Sequence, residues 1–433
     1  MISKRDKKPD KIAAKTAAKT PVITPSLATT PVPAVKLEDR GESIDEFEPL
    51  LIGETSRFRG PLIDLAVELA QRSAKFRGSL PGHLLDSLAD LVRSMNCYYS
   101  NLIEGHYTHP IDIERALKND YSREPKKRNL QREARAHIIV QKWIDCRGLR
   151  ARALSIDGIC EIHRRFCEQL PPDLLWVEDS DTKERVEVVA GELRKRDVKV
   201  GDHVPISPGA IPRFLSRFAE VYGRLGRTDA ILAAAAEHHR LLWIHPFFDG
   251  NGRVARLMSH AVLLDTLDTG AVWSVARGLA RRVDHYKDHL AASDMVRRND
   301  LDGRGQLSEE KLAAFTKFFL EVCIDQVDFM ERLMQPDSLR ARMLMWAEEQ
   351  IRFSKLPPKS GRVLEAALYR GSLARGEIAG IVGASERTAQ RIVLALTNAG
   401  VLTSDTPRAP IHLVFPAALA GRWMPELFPE PVT

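Results

Sequence analysis

The sequence predicts a mainly α protein: a helical body carrying one β-hairpin, followed by a small C-terminal winged helix-turn-helix domain. Three observations carry that prediction. Apolar residues recur at helical spacing through most of the chain, and strand-like alternation is confined to about residues 186–206. Composition then shifts at Lys355-Leu356-Pro357-Pro358, which reads as a rigid linker. With 433 residues and 44% hydrophobic content, the chain can fill more than one packed core. The segments expected are a disordered basic tail at 1–45, an N-terminal helical region at 46–170, a core at 171–335, a linking helix and linker at 336–357, and the winged helix-turn-helix domain at 358–433.

The formal charge of +6 suggests nucleic acid until it is located. Lys4, Arg5, Lys7, Lys8, Lys11, Lys15 and Lys19 outweigh Asp6 and Asp10, so nearly all of the excess sits in the first twenty residues. That segment is Lys, Ala, Thr and Pro, too polar to offset the entropy of ordering, hence the disordered tail. No apolar stretch follows its lysines and no later run approaches a membrane span, which predicts a soluble, cytoplasmic protein without membrane contact. Cys97, Cys146, Cys160, Cys167 and Cys323 are odd in number and lack C-x-x-C spacing, so reduced thiols are expected rather than disulfides or a zinc site.

Residues 58–170 carry helical runs such as Leu62, Leu65, Ala66 and Leu69, then Leu84, Leu85, Leu88, Leu91 and Val92. Within SNLIEGHYTHP a helix should end after Glu104, with Gly105 as its left-handed terminator. A carboxylate in a last helical turn opposes the helix dipole, so Glu104 either has an outside partner or is an exposed glutamate at a helix end. Val186, Val188, Val189, Val198, Val200 and Val204 alternate with charges around Gly191 and Gly201, which predicts a hairpin. Helices resume over Ile211–Tyr222 and over the Ala-rich Asp229–Trp243, whose small side chains allow close packing.

That second helix feeds HPFFDGNGRVAR, residues 245–256. Gly250 and Gly252 permit the backbone angles that turn successive N–H groups into an anion nest. From Gly252 onward Val254, Leu257, Met258, Ala261 and Val262 recur at helical spacing, so the nest belongs to a helix N-terminus, where phosphate is favoured. Arg253 and Arg256, three apart, share a helix face and suit a polyphosphate. Asp249 would repel a bare phosphate, which makes sense if it holds a Mg²⁺ bridging phosphate oxygens. A neutral His245 can take a proton from an attacking hydroxyl. His238, His239, His285 and His289 lack metal-ligand spacing and are read as structural.

Beyond the linker, Ile378, Val382, Ala384, Ala389 and Ile392 have helix-turn-helix spacing, with Gly383 in the turn and Ser385 capping the second helix. Leu402 and Ile411–Phe415 form the expected wing. Arg375, Arg387 and Arg391 can contact phosphates or bases, yet Glu377 and Glu386 interrupt them, leaving DNA and protein contact both open for this domain.

HPFFDGNGRVAR resembles, at every defined position, the H-P-F-x-(D/E)-G-N-G-R-x-x-R motif of the Fic family. The resemblance implies a Fic helical bundle with a β-hairpin flap and transfer of AMP from ATP to a Ser, Thr or Tyr hydroxyl of a target protein. It implies His245 as the catalytic base, Asp249 as the Mg²⁺ ligand, and Gly250, Asn251, Gly252, Arg253 and Arg256 as ATP-binding residues. Ser100, Glu104 and Gly105 resemble the family's (S/T)-x-x-x-E-(G/N) inhibitory motif, so Glu104 is expected to pair with Arg256 and obstruct the γ-phosphate. The 191–201 segment, GELRKRDVKVG, is similar to the flap that docks the target by strand addition, although Leu193 stands where an aromatic residue is commoner. DHYKDHLAASD at 284–294 resembles the segment lining the adenine pocket, with Tyr286 as the contact residue. Transfer of another phosphate-bearing group, a DNA-binding regulator with a silent or nucleotide-sensing core, and a homodimer stay open.

Overall fold

A computed structural model of the chain describes residues 37–178 and 183–428. The basic stretch at 1–36, most of the expected tail, lies outside the described residues. Residues 37–45 belong to the same expectation and are instead held in place. The Arg40 amide donates to Ser207 Oγ at 3.1 Å, Glu42 accepts from the Ser207 amide at 2.6 Å, and Asp39 pairs with Arg213 at 2.5 Å. Their alternating charges read as solvated in the sequence, and complementary groups about 165 residues away, as between Arg40 and Pro205, fix them.

Among the described residues the body is formed by α1 (Arg59–Ser79), α2 (Gly82–Ile103), α3 (Pro110–Leu117), α4 (Pro125–Asp145), α5 (Ile156–Glu168), α6 (Ile211–Tyr222), α7 (Arg227–Ile244), α8 (Asn251–Leu267), α9 (Ala276–Arg281) and α10 (Val283–Ser293). Two more, α11 (Glu309–Leu333) and α12 (Pro336–Arg352), complete it. Helix α8 is buried on nearly every face, with Ala255, Leu257 and Met258 fully covered. Helix α7 packs along it, and its Ala233, Ala234, Ala235 and Ala236 are all buried. These two helices run into and out of the 245–250 loop, so the loop is carried by two buried helices packed on each other. Each fully buried leucine there contributes about 1.5–3 kcal/mol.

The expected hairpin is displaced. Strands β1 (Trp176–Glu178) and β2 (Arg185–Glu187) pair antiparallel, with Val177 opposite Val186, so the ladder reaches only the start of the segment expected to hold it. Residues 188–206 contain one isolated bridge, Val200 to His203. Val200 and Val204 are 43% and 61% exposed, so their alternation buries no sheet face. What shapes this segment is Arg194, whose buried guanidinium donates to the carbonyls of His245 (2.8 Å), Arg196 (3.0 Å) and Ile206.

The C-terminal part holds α13 (Ser360–Arg370), β3 (Ser372–Leu373), α14 (Ile378–Val382), α15 (Glu386–Asn398), β4 (Leu402–Thr403), β5 (Ile411–Leu413) and α16 (Ala420–Trp423). Gly383, at φ +56°, makes the turn between α14 and α15, and Ser385 Oγ accepts from the Thr388 amide. The strands form an antiparallel sheet in the order β3-β5-β4. This part packs on α2, where Ser87 donates to the Leu413 carbonyl at 2.8 Å and Tyr99 to that of Leu427 at 3.1 Å. No described helix is long and apolar enough to cross a membrane, and the five cysteines are unbridged.

Candidate active site

His245 ends α7 in the left-handed conformation, φ 50° and ψ 63°, and Gly250, at φ +82°, opens α8. Between them the chain is closed on itself by Asn251. Its Oδ1 accepts from the Phe247 amide at 2.9 Å and its Nδ2 donates to the Phe247 carbonyl at 2.8 Å. Phe247 in turn is fully buried and stacks on His163 of α5, ring centroids 4.0 Å apart. His163 is kept neutral by burial, which lowers it to about 4, so its Nδ1 accepts from the Gly191 amide at 2.9 Å. The loop is thus pinned from two sides, by α5 and by the 191–206 segment.

Pinning leaves the first amides of α8 facing outward, because the first intrahelical bond is from Val254 to the Gly250 carbonyl. Glu104 comes to this N-terminus. It caps α2, Gly105 follows at φ +80°, and its carboxylate accepts a hydrogen bond from Arg256 of α8. A methyl group added at Gly252 would collide with that carboxylate. Glycine is needed at 252 for this close approach and not for its backbone angles. Arg256 also donates through Nε to Ser100 Oγ at 2.8 Å and through Nη2 to the Ser100 carbonyl at 3.3 Å. Burial pushes the Glu104 carboxyl up, but the charge and hydrogen bond of Arg256 outweigh it and hold the group below its ordinary range.

Arg253 takes a different course from Arg256. It donates to Glu133 at 3.0 Å, stands 3.3 Å from His106 Nδ1, and covers the Phe166 ring. The shared face expected for the two arginines is therefore split, since α4 brings an acidic partner to one of them. The hydrogen bond that His106 donates to Glu133 raises the imidazole above its ordinary value. Asp249 is exposed on the loop, and its carboxylate has no hydrogen bond or ion pair among the described residues.

A cavity of about 920 Å³ opens beside these groups, large enough for a nucleotide. Glu104, His245, Arg256 and Tyr286 line it together with Lys287 and the 200–204 loop. The structure thus brings four residues singled out in the sequence to one space, with Ser100 behind Arg256. Asp249, Gly250 and Arg253 do not line that space. Burial lowers His245 to about 4, with Arg194 adding to the effect, and one ring N–H bonds the Leu242 carbonyl. The other ring nitrogen is then a free acceptor. Tyr286 is buried, its hydroxyl 2.6 Å from His238 Nε2.

His106, Glu133, His163 and Arg194 were not legible as site residues. Each reaches the loop from a separate segment, and no local spacing marks them. Among the described residues no three His, Cys, Asp or Glu side chains cluster as metal ligands. A magnesium ion held by one carboxylate and by substrate phosphates needs no such cluster, so the free Asp249 carboxylate beside the α8 N-terminus fits that mode.

Residues 153–263 match the model of the Fic/DOC family. The chain is 32% identical over 173 residues to the protein adenylyltransferase Fic of Nematostella vectensis, covering 39% of this chain and 36% of that protein. It is 27% identical over 169 residues to the Drosophila erecta protein of the same name, covering 39% and 31%. The chain thus spans about a third of the length of the curated relatives it matches. Solved structures that resemble it include a Fic family protein from Desulfovibrio desulfuricans, with TM-score 0.49, 15% identity and coverage of 84% of this chain and 98% of that one. Another is Fic-1 from C. elegans, with TM-score 0.48, 18% identity and coverage of 64% and 74%. Over residues 153–263 the chain is therefore similar to the Fic/DOC family.

Proposed function

We propose that the chain is a protein adenylyltransferase, transferring AMP from ATP to a hydroxyl of a target protein, and that Glu104 restrains it. The observation that supports this most is one cavity lined by a neutral histidine, an arginine and the carboxylate bound to that arginine. The first amides of α8 bind phosphate oxygens, and Arg256 turns from Glu104 to the γ-phosphate. Tyr286 and the α10 wall receive the adenosine. Asp249 would hold the magnesium ion, which neutralises phosphate charge when bound. His245, oriented through Leu242, accepts the proton of a Ser, Thr or Tyr hydroxyl. The hydroxyl oxygen forms a bond to the α-phosphorus, the bond to the β-phosphate oxygen breaks, and pyrophosphate leaves. Position and charge supply most of the catalysis, as is general for phosphoryl chemistry.

Target docking on residues 191–201 loses the strand that was expected to carry it. A smaller groove between residues 186–189 and 192–196, ending at Phe248, is the surface we assign to the target segment instead. The experiment is His245→Ala in the full chain, which should still bind ATP but lose about 10²–10⁴-fold in transfer. Intact mass distinguishes an AMP adduct from transfer of another phosphate-bearing group. Arg387 and Arg391 on α15 are exposed and have no ion pair among the described residues, which favours DNA as a second ligand of the chain. A salt-dependent mobility shift of duplex DNA by the full chain, lost in the double substitution Arg387→Ala and Arg391→Ala, tests that reading.

A further inference from the structure

His238 lies on α7, two turns before His245, and is fully buried. Its Nδ1 is 2.9 Å from Ser259 Oγ and its Nε2 2.6 Å from the Tyr286 hydroxyl. The Ala255 carbonyl, one turn before Ser259 on α8, also accepts from this ring. A carbonyl only accepts, so the nitrogen facing it carries the ring proton. Ala255 and Ser259 stack on one face of α8, which makes that nitrogen Nδ1. Nε2 is then an acceptor, and the short contact requires Tyr286 to donate to it. Burial lowers His238 to about 3 and raises Tyr286 to about 12, so both partners stay neutral around pH 7.

With its proton committed to His238, the Tyr286 oxygen has only lone pairs left for its other neighbours. Arg256, which lines the same cavity, is the cation that acts on it. The guanidinium spends Nε and Nη2 on Ser100 and Glu104, which leaves its Nη1 donors for other acceptors. We infer that His238 is a positioning residue: by fixing the direction of the Tyr286 hydroxyl it makes Tyr286 an acceptor for Arg256, an anchor that persists when Glu104 yields to a phosphate. The inference deepens the nucleotide reading and rests on it for its ligand, a nucleoside triphosphate. Arg256, freed from Glu104, keeps its aim at the terminal phosphate because Ser100 and Tyr286 still hold it. A structural histidine would fill the same space without any preference for how many phosphates the ligand carries.

Two measurements on the full chain decide this. Nitrogen NMR of ¹⁵N-histidine protein, with the His238 signal assigned by its loss in His238→Gln, should show the Nδ1–H tautomer at pH 7. An Nε2–H tautomer overturns the inference, whether or not any nucleotide binds. The second measurement is the affinity for ATP and for AMP in the Glu104→Gly chain, with and without Tyr286→Phe or His238→Leu. Loss of one hydrogen bond to a charged group should weaken ATP about tenfold and leave AMP nearly unchanged. Equal loss for both nucleotides would put the Tyr286 hydroxyl on the adenosine and overturn the inference, as would no loss for either. Thermal melting reports whether each variant folds, and if His238→Leu does not, Tyr286→Phe alone carries the comparison. If the Glu104→Gly chain binds neither nucleotide, the adenylyltransferase reading fails, and the tautomer still decides the role of His238.

Discussion

At the scale of single residues, the site turns on who holds Arg256 and on how His245 is kept neutral. Burial lowers His245 to about 4, so the form able to accept a proton is the dominant one throughout the neutral range and is lost only as pH falls through that value. The acid limb of kcat/KM, which reports the free enzyme, should therefore lie well below the ordinary histidine value of about 6.5. A limb at that ordinary value would show that His245 is solvated or is not the base. Gly252 makes a second residue-scale test, because its backbone is helical and tolerates alanine, while its missing side chain is what lets an anion approach. Gly252→Ala should fold normally and bind ATP more weakly even when Glu104→Gly has removed the clash. Unchanged ATP affinity by calorimetry would mean that phosphate does not sit over the first turn of α8.

At the scale of elements, the twelve-residue motif was readable because its parts act locally. Glycine angles, a helix start and residues three apart are all set by neighbours in the chain, and so was the end of α2 at Glu104 and Gly105. The hairpin was misread for a physical reason. Alternation predicts a strand only where one face is buried, and Val200 and Val204 face solvent while Arg194 organises their segment through carbonyls contributed by Arg196, Ile206 and His245. Spacing also could not foresee that Glu133 would claim Arg253, since that pair is 120 residues apart. Asn251 is the element-scale test of the loop. Asn251→Ala leaves the buried Phe247 amide without its partner, which should cost about 1–3 kcal/mol in urea unfolding. A change within error would mean that the His163 stack and the 191–206 segment suffice to hold the loop.

At the scale of the whole molecule, α2 is shared between the candidate site and the C-terminal part. Its first turns meet the C-terminal part through His83 at the Leu368 carbonyl and Ser87 at the Leu413 carbonyl. Its last turns do so through Tyr98, edge-on to Phe428, and Tyr99, bonded to the Leu427 carbonyl, while Arg277 of α9 bonds that of Glu426. Tyr99 immediately precedes Ser100, and Glu104 is one turn further, so the C-terminal segment packs on the helix that presents the Glu104 carboxylate. Truncation after Met424 should raise amide hydrogen exchange over residues 96–104 relative to the intact chain. Unaltered exchange there would show that α2 is held by the helical body alone. None of this coupling was legible in the sequence, where the linker at 355–358 suggested a separate domain; the contacts come from carbonyls and aromatic rings whose meeting depends on the complete fold.

The central claim is that Glu104 and the nucleotide compete for Arg256 in a site whose base is His245. Intact mass spectrometry after incubation with ATP and Mg²⁺ tests it most directly, comparing the wild-type chain, Glu104→Gly, and Glu104→Gly combined with His245→Ala. The account predicts little AMP on the wild type, clear AMP addition on Glu104→Gly, and none on the double variant. Equal modification of wild type and Glu104→Gly, or AMP addition that survives the loss of His245, would contradict it.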